Sequence, residues 1–282
     1  MKPGIYRELT RDEYERIDAV NQSRLKAFAR SAAHGRHAML NPKLPTDAMS
    51  VGTALHMAVL EPERFKAEYV VAPKCDRRTN AGKAEWASFQ AANAARSLLN
   101  PDEMESCIAM SAALHVHPLA GPLLRAPGVS EVAAVWKDSE TGLLCKGRLD
   151  KLTRFVGQNL IIDVKSTRNA QPPEQDEHSC LFGADALKLG YLFQAAFYLD
   201  GLAALQPAER GYWILAVENE APHAVAVYEL PDEAIEYGRT EYRRALKRYA
   251  DAKRTDCYPG YHEGKHILNL PRWARQTMEV EA

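Results

Sequence analysis

The stretch G-R-L-D-K-L-T-R-F-V-G-Q-N-L-I-I-D-V-K-S, residues 147–166, constrains this chain more than any other, because it sets ionisable groups inside two runs that read as strands. From Leu160 to Val164 the chain is apolar and β-branched apart from one acid, the pattern of a buried strand carrying Asp163 at its end. Side chains alternate across a strand, so Asp163 and Lys165 share a face and Val164 points away. Arg148 to Leu152 reads as the preceding strand and Gly157-Gln158-Asn159 as the turn, which brings Asp150 back beside Asp163. Two carboxylates that close repel each other unless a cation lies between them, and their oxygens are the hard ligands that Mg²⁺ or Mn²⁺ prefers. Lys165 would then sit near a water or a phosphate oxygen, where its charge favours hydroxide or the charge developing on phosphorus oxygens. By themselves these residues also allow an ordinary hairpin with solvated charges, since D-x-K is a common tripeptide.

Further candidates lie outside the hairpin. His56 follows Gly52-Thr53-Ala54-Leu55 in an apolar helix read over Met49–Leu60, where a histidine serves equally as a satisfied core residue. Glu131 precedes V-A-A-V-W, a strand read over Ala133–Trp136, and fits a solvated strand start as well as a site. Gln194 and Tyr198 stand four apart on a helix read over Ala184–Leu205, a spacing that amphipathic patterning also explains. Other strands are expected at Leu143–Leu152, Leu160–Lys165, Gly211–Val217 and Ala224–Glu229. Helices are expected at Asp12–Ile17, at Asn21–Arg30 with Ser23 assisting the cap, at Ala84–Leu99, at Pro101–His115 and from Pro231 to Lys253. Asn41–Thr46 reads as a proline-marked break, and Glu174–His178, after Pro172-Pro173, as a mobile loop beyond the strand that carries Asp163 and Lys165.

The order Glu131, Asp150, Asp163 and Lys165, followed by Gln194 and Tyr198 in Y-L-F-Q-A-A-F-Y-L-D, resembles the PD-(D/E)XK nuclease superfamily in its RecB-like branch. V-G-T-A-L-H-M-A-V-L-E-P-E-R-F and V-A-P-K-C-D-R-R-T-N-A-G-K-A-E-W resemble the nuclease domain of the RecE-like exonucleases, the exodeoxyribonuclease VIII type encoded by phages and prophages. The likeness runs from Asn21 to Arg275. It implies an α/β fold: a PD-(D/E)XK core, a mixed central sheet flanked by helices, with N-terminal helical additions. It implies a single domain over residues 1–282, with a helical flap at 1–48, the nuclease core at 49–275 and a tail at 276–282. In the resemblance His56 joins Asp150, Asp163 and the main-chain carbonyl of Val164 as metal ligands, and Lys165 is the catalytic lysine. Glu131 is the acid entering from the first core helix or strand, Gln194 helps hold the DNA or the attacking water, and Tyr198 braces the same helix face. The second acid is Asp where other branches have Glu, and Leu149 stands where the motif has proline. The implied activity is Mg²⁺-dependent exonuclease action, with Mn²⁺ able to substitute, on linear double-stranded DNA. It is processive from the 5′ end and leaves 3′ tails for a RecT-like annealing partner. The implied assembly is a homo-oligomeric ring of three or four subunits, four being favoured. A structure-specific or single-strand endonuclease of the same superfamily, and a DNA-binding recombination protein that has lost turnover, are the alternatives.

A formal net charge of -1 argues against a uniformly basic coat, so any DNA affinity needs a local patch or a ring of subunits. The candidate patch is Lys74, Arg77, Arg78 and Lys83, in a turn-rich loop with Asn80 and Gly82; Arg148 and Arg168 flank the catalytic strands. Solvated surface charge accounts for the same residues. The five cysteines, Cys75, Cys107, Cys145, Cys180 and Cys257, are odd in number and lack a C-x-x-C pair, which predicts free thiols. Some RecB-like nucleases hold an iron–sulfur cluster on four cysteines, three of them near the C-terminus; only Cys257 lies there, so no iron–sulfur cluster is expected. The N-terminus lacks an apolar signal core, and no segment approaches ~20 uninterrupted apolar residues. The expected setting is a bacterial cytoplasm, without membrane attachment.

Overall fold

Apolar strand segments, all but one of them between residues 128 and 229, pair with one another and bury their faces against helices on both sides, which yields one six-stranded mixed sheet. The computed structural model describes residues 1–41, 47–173, 181–261 and 264–269. In order these form β1 (Gly4–Tyr6), α1 (Arg11–Arg16), α2 (Gln22–Arg30), α3 (Ala32–Leu40), α4 (Asp47–Leu60), α5 (Pro62–Glu68), β2 (Tyr69–Val71), α6 (Asn80–Ala92), β3 (Ser97–Leu99), α7 (Pro101–Val116) and α8 (Ala120–Arg125). They continue as β4 (Gly128–Lys137), β5 (Leu144–Phe155), β6 (Gln158–Thr167), α9 (Leu181–Leu189), α10 (Tyr191–Leu205), β7 (Gly211–Glu218), β8 (Val225–Glu229) and α11 (Asp232–Thr255).

The sheet order is β1-β4-β5-β6-β7-β8, antiparallel throughout except that β6 and β7 run parallel, joined by the α9–α10 crossover. On one face Leu25 and Phe28 of α2, Phe193 and Phe197 of α10 and Tyr242 of α11 pack with Ile161, Ile214 and Ala216. On the other, Leu55 of α4, Met110 and Leu114 of α7 and Leu123 of α8 pack with Ile162, Val164, Leu215 and Val217. Two buried lysines on β5 fasten short helices to the sheet. Lys146 donates to the carbonyls of Tyr14 and Glu15 in α1, and Lys151 to that of Leu124 in α8, a favourable place for a cation because helix C-terminal carbonyls carry partial negative charge. Among the described residues no helix is long and apolar enough to cross a membrane.

The structure corrects several local expectations. The β5–β6 turn is Val156-Gly157, at φ 46° and 84°, and Phe155 pairs with Gln158, so Gln158 and Asn159 belong to the strand. A two-residue turn with positive φ matches the right-handed twist of a hairpin. The helix expected over Ala84–Leu99 instead runs from Asn80 to Ala92. Thr79 caps its start by accepting from the Gly82 amide, Asn93 closes its end, and Ser97–Leu99 pairs in parallel with β2. Lys83 is therefore helical rather than a loop residue. The helix expected over Ala184–Leu205 is divided at Gly190, whose φ of 71° cannot continue a helix. Asn21, not Ser23, caps α2, accepting from the Arg24 amide at 2.9 Å, while Ser23 accepts from the Gln22 side chain. Glu131, expected ahead of its strand, lies within β4. The expected break at 42–46, the loop at 174–178, Cys180 and the tail at 276–282 lie outside the described residues.

Candidate active site

The site begins where the β4–β5 ladder is interrupted. Pairing runs from Gly128↔Thr153 to Ser130↔Lys151 and resumes at Val132↔Leu149, so Glu131 and Asp150 face each other between the paired stretches. Glu131 takes φ 52°, a left-handed conformation that costs energy for a residue with a Cβ and that clusters at functional sites. Side-chain alternation breaks at the same level. Leu149 packs in the α10-side core, whereas Lys151, two residues on, reaches α8 on the opposite face. The β5–β6 ladder starts at Lys151↔Ile162, and beside it the Asp150 carboxylate accepts from the Val164 main-chain amide at 2.7 Å.

α4 is anchored by Leu55 and Val59 against one core and by Ala54 and Ala58 against another, which sets half-buried His56 over the interruption. Its Nδ1 lies 3.2 Å from Asp150 Oδ1, and ligand atoms of His56, Glu131 and Asp150 all fall within 4.8 Å of one another. Arg148 Nε donates to Glu131 Oε2 at 2.6 Å and its Nη1 to the Leu9 carbonyl, which fixes the glutamate from below. Burial raises the Glu131 pKa and Asp150 adds to it, against the Arg148 hydrogen bond. Burial acts upward on Asp150 too, but His56, Lys165 and the Val164 amide bring it below the usual carboxylate range. His56 shows the converse: burial lowers its pKa, and Asp150 more than reverses this.

Asp163 occupies the α10 side of the same place. Its Oδ2 is 2.6 Å from Lys165 Nζ and its Oδ1 accepts from Gln194 Nε2 at 2.6 Å, while Gln194 also donates to the Tyr212 hydroxyl at 3.3 Å. Lys165 Nζ stands 5.0 Å from the centre of the Tyr191 ring, within cation–π range. Burial and the Asp150 charge raise the Asp163 pKa despite Lys165; burial works to lower Lys165, and the two aspartates carry it above its ordinary value. Asp163 is not part of the trio of His56, Glu131 and Asp150, and Lys165 and Gln194 engage its two oxygens. The Val164 main chain adjoins Asp150 through its amide.

The remaining expected residues are dispersed. Tyr198 is buried one turn beyond Gln194 against Gly147, where a Cβ would stand 2.7 Å from the tyrosine ring. Arg148 is directed at Glu131 and Leu9, and Arg168 is exposed past the end of β6. Arg78 folds back on Asp76 at 3.0 Å, Arg77 lies over the Trp86 ring at 4.7 Å, and Lys74 and Lys83 are exposed. Sequence reasoning did not single out Tyr191, Tyr212 or Lys26. Tyr191 carried a usable signal, because it precedes Gln194 by three on one helix face. Tyr212 begins an ordinary apolar strand, and nothing separates Lys26 from the other basic residues.

Residues 21–270 match the family described as PDDEXK-like domain of unknown function (DUF3799). The crystal structure of a protein named "Putative exonuclease" from Eubacterium rectale superposes at a TM-score of 0.61 over 96% of this chain and 98% of that one, with 13% identity, and so shares the fold. The structure of SSO0001 matches at 17% identity over 80% of this chain and 84% of that one, with a TM-score of 0.30. That of VC1899 from Vibrio cholerae matches at 10% identity over 83% of this chain and 56% of that one, with a TM-score of 0.22. No curated protein matches the chain in sequence.

Proposed function

The chain belongs to the PDDEXK-like domain family, and from that premise we propose that it is a divalent-metal-dependent nuclease that digests linear double-stranded DNA in the manner of the RecE-like exonucleases it resembles. The observation that carries this reading is the meeting of His56, Glu131 and Asp150, within 4.8 Å of one another, with the Asp163–Lys165 pair across the Asp150–Val164 hydrogen bond. The donors fit a hard divalent cation: they are carboxylate oxygens and an imidazole nitrogen, and burial makes negative charge on Glu131 and Asp163 unfavourable without a positive neighbour. In this proposal His56, Asp150, Asp163 and the Val164 carbonyl hold the ion, with Glu131 adjoining through Asp150.

A bound Mg²⁺ or Mn²⁺ supplies Lewis-acid polarisation of the phosphoryl group and a more acidic water. Lys165, steadied by Asp163 and Tyr191, orients the attacking water and offsets negative charge developing on the phosphorus oxygens. Gln194, braced on Tyr212, holds Asp163 in place, and Arg148 does the same for Glu131. The finer proposal is processive 5′ to 3′ digestion, leaving 3′ tails for a RecT-like annealing protein, in a bacterial cytoplasm and from a phage or prophage gene. A ring of four subunits, or of three, would keep the strand threaded and gather the positive surface that a chain of net charge -1 needs. One domain over residues 1–282 completes the proposal.

The test is incubation with Mg²⁺ and end-labelled linear duplex, beside closed circles and an Asp163→Ala control. Mononucleotide release from the 5′ end of linear DNA alone, lost in the control, supports the exonuclease. Nicked circles would replace it with the endonuclease, and intact DNA in every lane, Mn²⁺ included, with a DNA-binding protein without turnover.

A further inference from the structure

A second lysine, distant in the chain, lies close enough to Lys165 and Asp163 to feel their charges. Lys26 Nζ, on α2, donates to the carbonyl of Leu189, the last residue of α9, at 2.7 Å. Gly190 follows in the left-handed conformation, and a Cβ there would stand 3.5 Å from Lys26 Nζ. The next residue, Tyr191, opens α10 and presents its ring to Lys165. Two lysines therefore flank the α9–α10 junction, Lys26 at Leu189-Gly190 and Lys165 at Tyr191.

Capping the end of α9 accounts for one of the three donors of Lys26, and among the described residues Leu189 is the one hydrogen-bond partner of this ammonium. Its surroundings do not favour the charge it carries. Burial, then repulsion from Lys165, push its pKa down to about 8, with Asp163 opposing. Asp163 is already engaged by Lys165 and Gln194. A partly desolvated ammonium with spare donors, set beside another cation, is suited to an oxyanion, whose negative charge offsets that repulsion.

We propose that Lys26 is a substrate-binding residue, donating to a non-bridging oxygen of the phosphate next to the one hydrolysed at Lys165; this rests on the nuclease reading above. One strand would then be gripped at two consecutive phosphates by two lysines on either side of Gly190. The contact is with the backbone and takes no account of base identity.

The experiment measures binding of a fluorescein-labelled duplex by the full chain as NaCl is varied at fixed Ca²⁺. Wild type, Lys26→Gln and Lys26→Arg are compared. Glutamine keeps an N–H for the Leu189 carbonyl but removes the charge. A lost phosphate contact lowers the slope of log affinity against log salt by about 0.9. That decrease in Lys26→Gln, with the slope restored in Lys26→Arg, is expected. In parallel, amine acetylation of the wild type, read by mass spectrometry, should show Lys26 protected by the duplex, a readout that does not depend on a variant folding. An unchanged slope in Lys26→Gln, or equal acetylation of Lys26 with and without DNA, overturns the proposal and leaves a helix-end cap. A wild type that neither binds nor cleaves DNA would instead remove the nuclease reading itself.

Discussion

Lys165 and Asp163 stand two residues apart on one strand and meet at 2.6 Å, so each is the other's compensation for burial. Lys165→Met should lower DNA cleavage by about 10²–10³-fold, the scale of removing one electrostatic stabiliser. It should also cost about 3 kcal/mol in urea unfolding, because Asp163 is left buried without its cation. Lys26 predicts an unusual pH dependence. Its pKa is about 8 in the fold against an ordinary 10.5, so between these values the unfolded chain binds more protons and stability rises with pH. Below about 8 both states are protonated and this contribution is flat. The wild type should therefore gain about 3 kcal/mol of stability relative to Lys26→Met as pH rises across that window, measured by urea unfolding at several pH values. Asp150, Asp163 and Lys165 were legible as residues because burial of charge in an apolar run is unusual. Lys26 was not, because its lone anomaly is where its side chain ends.

At the scale of elements, α10 carries both Gln194 and Tyr191, and its seat is fixed by close approach to α11. A Cβ at Gly238 would stand 2.0 Å from the Leu192 main-chain carbonyl oxygen, and backbone cannot move aside as a flexible side chain can. Gly238→Ala should destabilise the fold by about 2–3 kcal/mol in urea unfolding, the cost of overpacking, and should lower cleavage by displacing Gln194. Gly52 gives the opposite case: it lies inside α4 with nothing within 4 Å of an added Cβ, so Gly52→Ala should stabilise by about 0.5–1 kcal/mol. Long periodic segments such as α7, α11, β6 and β7 were readable from the residues, since 3.6- and 2-residue repeats are local properties. The three-residue strands β1, β2 and β3 were not, because so short a segment is extended only by virtue of its neighbour. α9 and α10 merged in the sequence reading because Gly190 is tolerated in a helix and breaks one only when its φ is positive.

For the molecule as a whole, the proposed ion would bind the fold and not the unfolded chain, so it should raise the melting temperature. Mg²⁺ or Mn²⁺ at saturating concentration should shift the wild-type transition upward and leave His56→Ala unmoved; an equal shift in both would place the ion elsewhere. The mixed sheet flanked by helices entered through the family resemblance, while the amino-acid order alone determined the α/β class and the hairpin that joins Asp150 to Asp163. Both of these follow from forces acting within a few residues or across one turn. Tertiary structure alone decided the positive φ of Glu131, the interruption that frees Asp150 from the ladder, and the arrival of His56 from α4 and Lys26 from α2. These are set by how helices distant in the chain pack on the two faces of the sheet, and no local pattern records which side chains such packing will bring together.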